Sequence, residues 1–397
     1  MKNASFKSIT VLFIAFMLSL PAIAQYTAKE QKAINKSKDY YKSKKYDKAI
    51  STIKKVQDAH FMDDDLWTLR TLYEYDRYED QLLADLIYIL GKVADGKNIP
   101  ANKTYKSDQY KSDLQVTCIT ATLVSSKQSL ASAILYDFYI APKVDTAISD
   151  EAKERYNKGN ESFNNKEYSE AIRQFKKALD IEGNYYKATI GIADSYYNQE
   201  NWDEAAVWYK KATRIENKMM KPHKRLTECY MNNRQWNDAY NACVNGIISY
   251  PDVEHFENLE KICEKQGKTF NRHWMARVYI PNVMNTQLGA IEKEPWSYYR
   301  QAYDKIASYC NDNGVIKRSQ SMTEQRYLEA YSWEYMLKKS STDDGEFKFA
   351  RRVMDDGFVD CYAFISMYHI LFRNQYEDFA SKNESRIRRY IDEYLVK

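Results

Sequence analysis

Histidines are the first side chains to consider for acid–base catalysis or metal binding, and the chain has five of them. They are His60, His223, His255, His273 and His369. No pair has the i,i+4 spacing or the cysteine neighbours that are typical of a metal site. His273 lies beside Trp274 and Arg277, which is the most suggestive local cluster. We interpret His273 as a hydrogen-bonded interface residue and predict no metal site.

Sequence motifs of the common catalytic centres are missing, including GxSxG, HExxH, GxxxxGK and GxGxxG. The acidic runs at 63–65 and 355–356 are typical of solvated helix ends. We therefore predict a protein that is not an enzyme and that needs no cofactor. Folding can bring two carboxylates together without any fixed spacing in sequence. A hydrolase in the C-terminal domain is therefore a less favoured alternative.

The six cysteines are too dispersed for a disulfide framework, and no CxxC pair occurs. Cys229 and Cys243 lie within helical patterns, which favours buried, small apolar side chains. Cys243 and Cys263 are the first pair to test for a bridge. We expect no disulfide to be essential.

The elements that must position any functional side chain are repeated at one interval. Four columns of residues recur every 34 positions, with an aromatic residue, two small residues and a core residue in fixed phase. The columns are Tyr168, Trp202, Trp236; Ala171, Ala205, Ala239; Phe175, Tyr209, Cys243; and Ala178, Ala212, Gly246. A period of 34 residues is typical of helix–turn–helix repeats. The sequence therefore predicts an array that presents a binding surface.

These columns, with the small residues Gly159, Ala193 and Thr227, resemble the tetratricopeptide repeat. Two helices that cross at short distance need Ala or Gly where their backbones approach. The resemblance implies an all-α protein, a right-handed α-solenoid of tetratricopeptide helical hairpins with a C-terminal helical domain.

The columns, the leader pattern and a change of character after Gly267 together set the predicted domain boundaries. We predict a signal peptide (1–24), an N-terminal hairpin of the same kind (25–65), degenerate helical hairpins (66–151), the array (152–268) and a C-terminal helical domain (269–397). The array divides into 152–185, 186–219, 220–253 and a capping helix at 254–268. Helices outside the array are predicted at 66–77, 79–94, 112–125, 128–140, 296–311, 322–338, 345–355, 361–373 and 375–395. A capping box of Ser321 and Glu324 begins the helix at 322–338.

The first residues resemble a secretory leader: Lys2 and Lys7, an uncharged run, and small residues at 22–24. Its removal leaves a net charge of +2 (57 − 55), too close to balance to indicate nucleic acid. We expect no membrane-spanning segment after cleavage and a periplasmic or outer-membrane-associated location. The leader and the Tyr-, Lys- and Asn-rich body resemble envelope proteins of Bacteroidota.

In tetratricopeptide arrays the first helix of each repeat lines a peptide-binding groove, and the resemblance places twelve residues there. They are Tyr156, Asn160, Phe163, Asn164, Lys187, Asp194, Asn198, Lys221, Lys224, Arg225, Glu228 and Asn232. Some members hold a peptide's terminal carboxylate with five basic or amide residues. Asn160, Lys221 and Arg225 match that set, whereas Tyr156 and Gly191 depart from it. We favour solvated charges over a true carboxylate clamp at these positions.

The resulting hypothesis is a scaffold that binds a peptide or protein subunit of a cell-envelope assembly through its groove. The alternative is a glycan-binding envelope protein, because nutrient receptors of Bacteroidota also carry such repeats. The sequence leaves the partner's identity and the oligomeric state open.

Overall fold

The structure is a computed structural model that describes residues 26–60, 63–94, 103–124, 131, 134–135, 144–273, 294–312, 314–317, 326–369 and 372–397. The chain divides into two compact units, residues 1–135 and 136–397. In the parts that the structure describes, the regular elements are helices, joined by turns and a few isolated β-bridges.

The first unit contains helices α1 (Ala28–Lys42), α2 (Tyr46–Gln57), α3 (Asp64–Ala94) and α4 (Lys106–Val124). Its core includes Ile34, Ala49, Ile53 and Tyr73, each no more than 4% exposed. The predicted break between helices at 77–79 is wrong, because α3 is one helix of 31 residues. Residues 77–79 (Arg-Tyr-Glu) include no Gly or Pro to end a helix, and Tyr78 is buried. The predicted helix at 128–140 lies largely outside the described residues.

The second unit begins with the array, where the observed helices match the predicted hairpins. They are α5 (Asp150–Asn164), α6 (Tyr168–Ile181), α7 (Tyr186–Asn198), α8 (Trp202–Ile215), α9 (Met220–Asn232), α10 (Trp236–Ser249) and α11 (Val253–Lys265). The small residues of the repeat columns are fully buried where the helices cross, as at Ala171, Ala205 and Ala239. Cys229 and Cys243 are also fully buried and free, which confirms that they are packing residues.

The turns inside the hairpins share one backbone conformation. Lys44, Lys166, Glu200 and Arg234 all have positive φ, between 54° and 64°. In each turn the next residue donates its backbone N–H to a carbonyl five residues earlier, as from Asn201 to Tyr196 at 3.0 Å. This bond is the mark of a Schellman turn at a helix end. The N-terminal hairpin α1–α2 therefore has the same turn as the hairpins of the array.

Replacing Glu200 with glycine is expected to raise the free energy of unfolding by about 0.5–1 kcal/mol. A left-handed conformation costs a residue with a Cβ atom about 1–2 kcal/mol, and glycine removes this cost. Part of the resulting stabilisation is offset by the conformational entropy that glycine loses on folding. Urea denaturation measures the change. Glu204→Gly, inside α8, is the control and should destabilise the protein. A lower stability of Glu200→Gly would contradict the strain assigned to this turn.

The described residues of the C-terminal domain include α12 (Trp296–Ile306), α13 (Leu328–Lys339), α14 (Gly345–Asp355), α15 (Val359–Cys361) and α16 (Arg373–Tyr390). Two π-helical turns, Tyr362–Ser366 and Ile391–Leu395, extend α15 and α16. The predicted helix at 361–373 is thus shorter and begins earlier, and the one at 375–395 is interrupted at Asn383 (φ −132°). The Ser321 capping box lies outside the described residues.

The C-terminal domain packs directly on the last hairpin of the array. The Tyr376 hydroxyl of α16 donates to the carbonyl oxygens of Ile247 (3.0 Å) and Ile248 (2.5 Å) at the end of α10. Residues 269–271 also exchange backbone hydrogen bonds with 395–397. The sequence favours packing roles for eight aromatic residues of this domain: Tyr298, Tyr299, Tyr303, Tyr309, Tyr327, Tyr331, Trp333 and Tyr335. Tyr299, Tyr327 and Trp333 are buried, four others are half-buried, and Tyr309 is 61% exposed. The array and this domain therefore share a packed boundary.

Candidate functional site

The predicted groove residues lie on α5, α7 and α9, the first helices of the three hairpins. Their side chains meet mainly between α7 and α9. The Lys221 ammonium group lies 2.6 Å from a carboxylate oxygen of Asp194. The Arg225 guanidinium donates to Glu228 at 2.7 Å and to the Tyr197 hydroxyl at 2.9 Å. The Tyr197 hydroxyl in turn donates to Glu228 at 2.9 Å.

A further ion pair extends this contact to α11. Lys224 lies 2.6 Å from Glu254 at the start of that helix. We call these three ion pairs, each of which includes a residue of α9, the ion-pair seam. It consists of Asp194, Lys221, Lys224, Arg225, Glu228 and Glu254. Three cations and three carboxylates balance, so the seam carries no net charge.

Asp194 is held from the interior as well as from the surface. The hydroxyl of Tyr209, a fully buried residue of α8, donates to its other carboxylate oxygen at 2.6 Å. Burial, followed by the neighbouring Asp194 carboxylate, raises the pKa of Tyr209 far above its usual value. Burial, with the Glu228 carboxylate next, also raises the pKa of Tyr197 to about 12. Both hydroxyls therefore stay protonated and act as hydrogen-bond donors at neutral pH.

The seam limits how well Lys221 and Arg225 can bind a ligand's carboxylate. Each cation already has an internal carboxylate partner, so a ligand's carboxylate would have to displace one. The side chains are 20–45% exposed, and pairs with this exposure contribute little net stability. Exchanging one carboxylate for another therefore adds little affinity. This arrangement favours a ligand without a concentrated charge.

The remaining predicted residues divide between packing and exposed positions. Tyr156 is half-buried, with its ring 5.6 Å from Phe175 and 5.2 Å from Tyr185. Burial raises its pKa, and Asn160 is its hydrogen-bond partner. Phe163 is also half-buried against the turn aromatic Tyr168 (5.5 Å). These three predicted residues form part of the surface of α5. We call the combined surface of α5, α7 and α9 the first-helix face.

Among the predicted residues outside the seam, Asn164, Lys187, Asn198 and Asn232 are exposed. Asn198 donates to the backbone carbonyl of Asp194 at 2.7 Å, and Asn164, Asn198 and Asn232 each end a first helix. The structure therefore places a row of amide side chains along one end of the face. Amides both donate and accept hydrogen bonds, which suits polypeptide backbone or other neutral polar groups.

Sequence reasoning missed three members of the site. Tyr197 and Glu254 complete the hydrogen bonds of the seam, and Asp145 accepts from the backbone N–H groups of Tyr186 (2.8 Å) and Lys187 (3.0 Å) at the start of α7. Glu254 follows Lys224 by 30 residues, close to one repeat, and that spacing was an available signal. The position of Gly191 also has a packing reason, since a Cβ atom there would lie 2.6 Å from the Phe175 ring.

Across the described ranges, no group of three or more His, Cys, Asp or Glu side chains is arranged to hold a metal ion. No helix in the described part of the chain combines the length and the apolar character needed to cross a membrane. His273 contacts Glu346 (3.3 Å) and stacks on Phe349. Its sequence neighbours Trp274 and Arg277 lie outside the described residues.

Comparison with known proteins places the array in a class. Residues 163–218, which include the second hairpin and parts of its neighbours, match the tetratricopeptide repeat family. This part of the chain therefore consists of tetratricopeptide repeats, and the hairpins of the array form an all-α solenoid. Comparison with curated protein sequences gives no match.

Three solved structures illustrate the likeness. The Sgt2 tetratricopeptide domain from Aspergillus fumigatus is 24% identical over 32% of this chain and 85% of that one, with a TM-score of 0.28. The TPR2AB domain of yeast Sti1, solved in complex with pHSP90, is 13% identical over 60% and 96%, with a TM-score of 0.26. The C-terminal part of a repeat protein from Cytophaga hutchinsonii is 13% identical over 79% and 98%, with a TM-score of 0.28.

Proposed function

We propose that this protein is a non-enzymatic interaction scaffold whose first-helix face binds a polypeptide segment of a partner protein. The observation that carries the proposal is the ion-pair seam. It joins α7, α9 and α11 across successive repeats, and its own charges balance. The first-helix face offers hydrogen-bonding groups at the spacing of the repeats.

The chemistry of the face narrows the kind of segment. Lys221 and Arg225 are neutralised by Asp194 and Glu228, so recognition of a terminal carboxylate gains little from them. Apart from the exposed Lys187, amides and half-buried tyrosine rings remain. Together they suit an internal, uncharged polar segment that is bound through its backbone and through contacts with aromatic rings.

The cellular setting is part of the proposal. The leader-like residues 1–24 support export, and we propose that the partner is a subunit of a cell-envelope assembly. A glycan-binding envelope protein is the alternative, because amide and aromatic side chains also suit sugar hydroxyls.

Site-specific photo-crosslinking tests the scaffold. A photoreactive amino acid at Asn198 or Asn232 is expected to capture one defined protein in cells of the producing organism. The matched control is Val207, which is 61% exposed on α8, a second helix. Mass spectrometry of the adduct identifies the partner. Equal capture from Val207, or capture of polysaccharide in place of protein, would contradict the proposal; the second result would favour glycan binding.

A further inference from the structure

The first unit contains a cavity that is not part of the first-helix face. It has a volume of about 460 Å³ and lies among the α1–α2 turn, the first turn of α2, α3 and α4. Its lining residues are Lys44, Lys45, Tyr46, Asp47, Lys48, Arg77, Asp80, Gln81 and Tyr110. Four cations face two carboxylates, so the lining has an excess charge of +2.

The internal contacts of the cavity leave its positive charge available at the rim. Arg77 is held by Asp47 and Asp113, each at 3.0 Å, and lies over the Tyr110 ring. Lys44 pairs with Asp80 at 2.9 Å. Within the described residues neither Lys45 nor Lys48 has a carboxylate within ion-pair distance, and both are exposed. These two ammonium groups are the natural contacts for an acidic ligand.

The basic character of this turn is specific to the first hairpin. Residues 44–48 are Lys-Lys-Tyr-Asp-Lys, with a charge of +2. The equivalent turns of the array, 166–170, 200–204 and 234–238, carry −1, −3 and 0. All four turns have the same backbone conformation. The turn geometry therefore does not require the lysines.

An apolar stripe continues from the cavity along α3. Leu83 and Ile87 follow Asp80 by three and seven residues, which places them on the same side of the helix. They are 58% and 62% exposed, and Leu86 beside them is 46% exposed. The opposite side of α3 contacts α4, for example through Asp85 and the Ser107 backbone (3.0 Å). Large aliphatic side chains on an outward helix face mark an interaction surface.

We propose that the cavity and the stripe together bind a partner segment in which acidic residues lie next to aliphatic ones. Arg77 and Ile87 lie ten residues apart, or about 15 Å along the helix axis. An extended segment of about five residues spans this distance. Its carboxylates contact Lys45 and Lys48, and its aliphatic side chains cover Leu83 and Ile87. This site lies in the first unit and is independent of the first-helix face.

Fluorescence anisotropy with short labelled peptides and the full chain after its leader tests the site. The probes are an acidic–aliphatic peptide, the same peptide with lysine in place of the acids, and the same peptide with serine in place of the aliphatic residues. Only the first is expected to bind saturably, and its affinity should fall as salt is added. No saturable binding, or equal binding of either altered peptide, would overturn the proposal.

Two double variants locate the contacts. We expect each double variant to weaken binding by about ten-fold or more. Lys45→Glu/Lys48→Glu removes the contacts with the acidic residues of the peptide. Leu83→Ser/Ile87→Ser removes the contacts with its aliphatic residues. All four side chains are exposed, so the variants keep the core intact, which circular dichroism verifies. Lys54→Glu/Lys55→Glu makes the same charge change further along α2 and should bind as the unaltered protein does. An equal loss in this control would show that binding depends only on overall charge and would reject the site.

Discussion

Replacing Phe175 with alanine is expected to lower the free energy of unfolding by about 3–5 kcal/mol. The Phe175 ring is 1% exposed. It lies between two helices and packs against a glycine of each one. A Cβ atom added at Gly159 of α5 or Gly191 of α7 would lie 2.6 Å from ring atoms of Phe175. Because the ring fills the space between consecutive repeats, its loss leaves a cavity that the rigid helix pair cannot close. Urea denaturation followed by circular dichroism measures the loss.

Glycine variants give this prediction its control. Gly191→Ala is expected to destabilise the protein by about 1–3 kcal/mol through overpacking. Gly183→Ala is the matched change, since its Cβ would come no closer than 4.0 Å to another atom, and it should have little effect. In the double variant Phe175→Ala/Gly191→Ala the new methyl group enters the vacated space, so the two losses should not add. A Gly191→Ala variant as stable as Gly183→Ala would contradict this packing.

Acidification from pH 7 to pH 4.5 is expected to cost about 2–3 kcal/mol of stability through His255 alone. This residue of α11 is fully buried, and neither ring nitrogen has a hydrogen-bond partner among the residues that the structure describes. Burial, followed by the nearby His223 and Lys224, lowers the pKa of His255 from 6.5 to about 3. Below pH 6.5 the unfolded chain binds a proton that the folded protein does not. Stability is therefore complete above pH 6.5 and is lost as the pH falls towards 3, by about 1.4 kcal/mol per pH unit.

The comparison that isolates this effect uses His255→Leu. Carboxylates elsewhere titrate in the same range, but they do so equally in both proteins. The free energy of unfolding, measured by urea denaturation at pH 7, 5.5 and 4.5, should fall more steeply for the unaltered chain than for the variant. Parallel slopes would show that His255 is protonated as readily in the folded state as in the unfolded one.

The hairpins of the array were predictable because their information is local and repeated. Tyr168, Trp202 and Trp236 begin α6, α8 and α10, and the same phase places the positive-φ residues Lys166 and Glu200 two positions earlier. The C-terminal domain was less predictable. Its helices follow no repeat, and π-helical turns such as Tyr362–Ser366 leave no period in the sequence. The long helix α3 was divided in error because a hairpin was expected where no residue ends the helix.

The sequence by itself determined the hairpins and the small residues at their crossings, since periodicity of three to four residues within a helix and 34 between repeats encodes both. The tertiary structure alone decided the charge of the candidate site. Lys221 is 27 residues from Asp194, and Lys224 is 30 residues from Glu254. Whether such side chains meet depends on how neighbouring repeats are rotated and on rotamers that no residue pattern specifies. For that reason the same lysine and arginine that suggested contacts with a ligand's carboxylate prove to be neutralised within the protein.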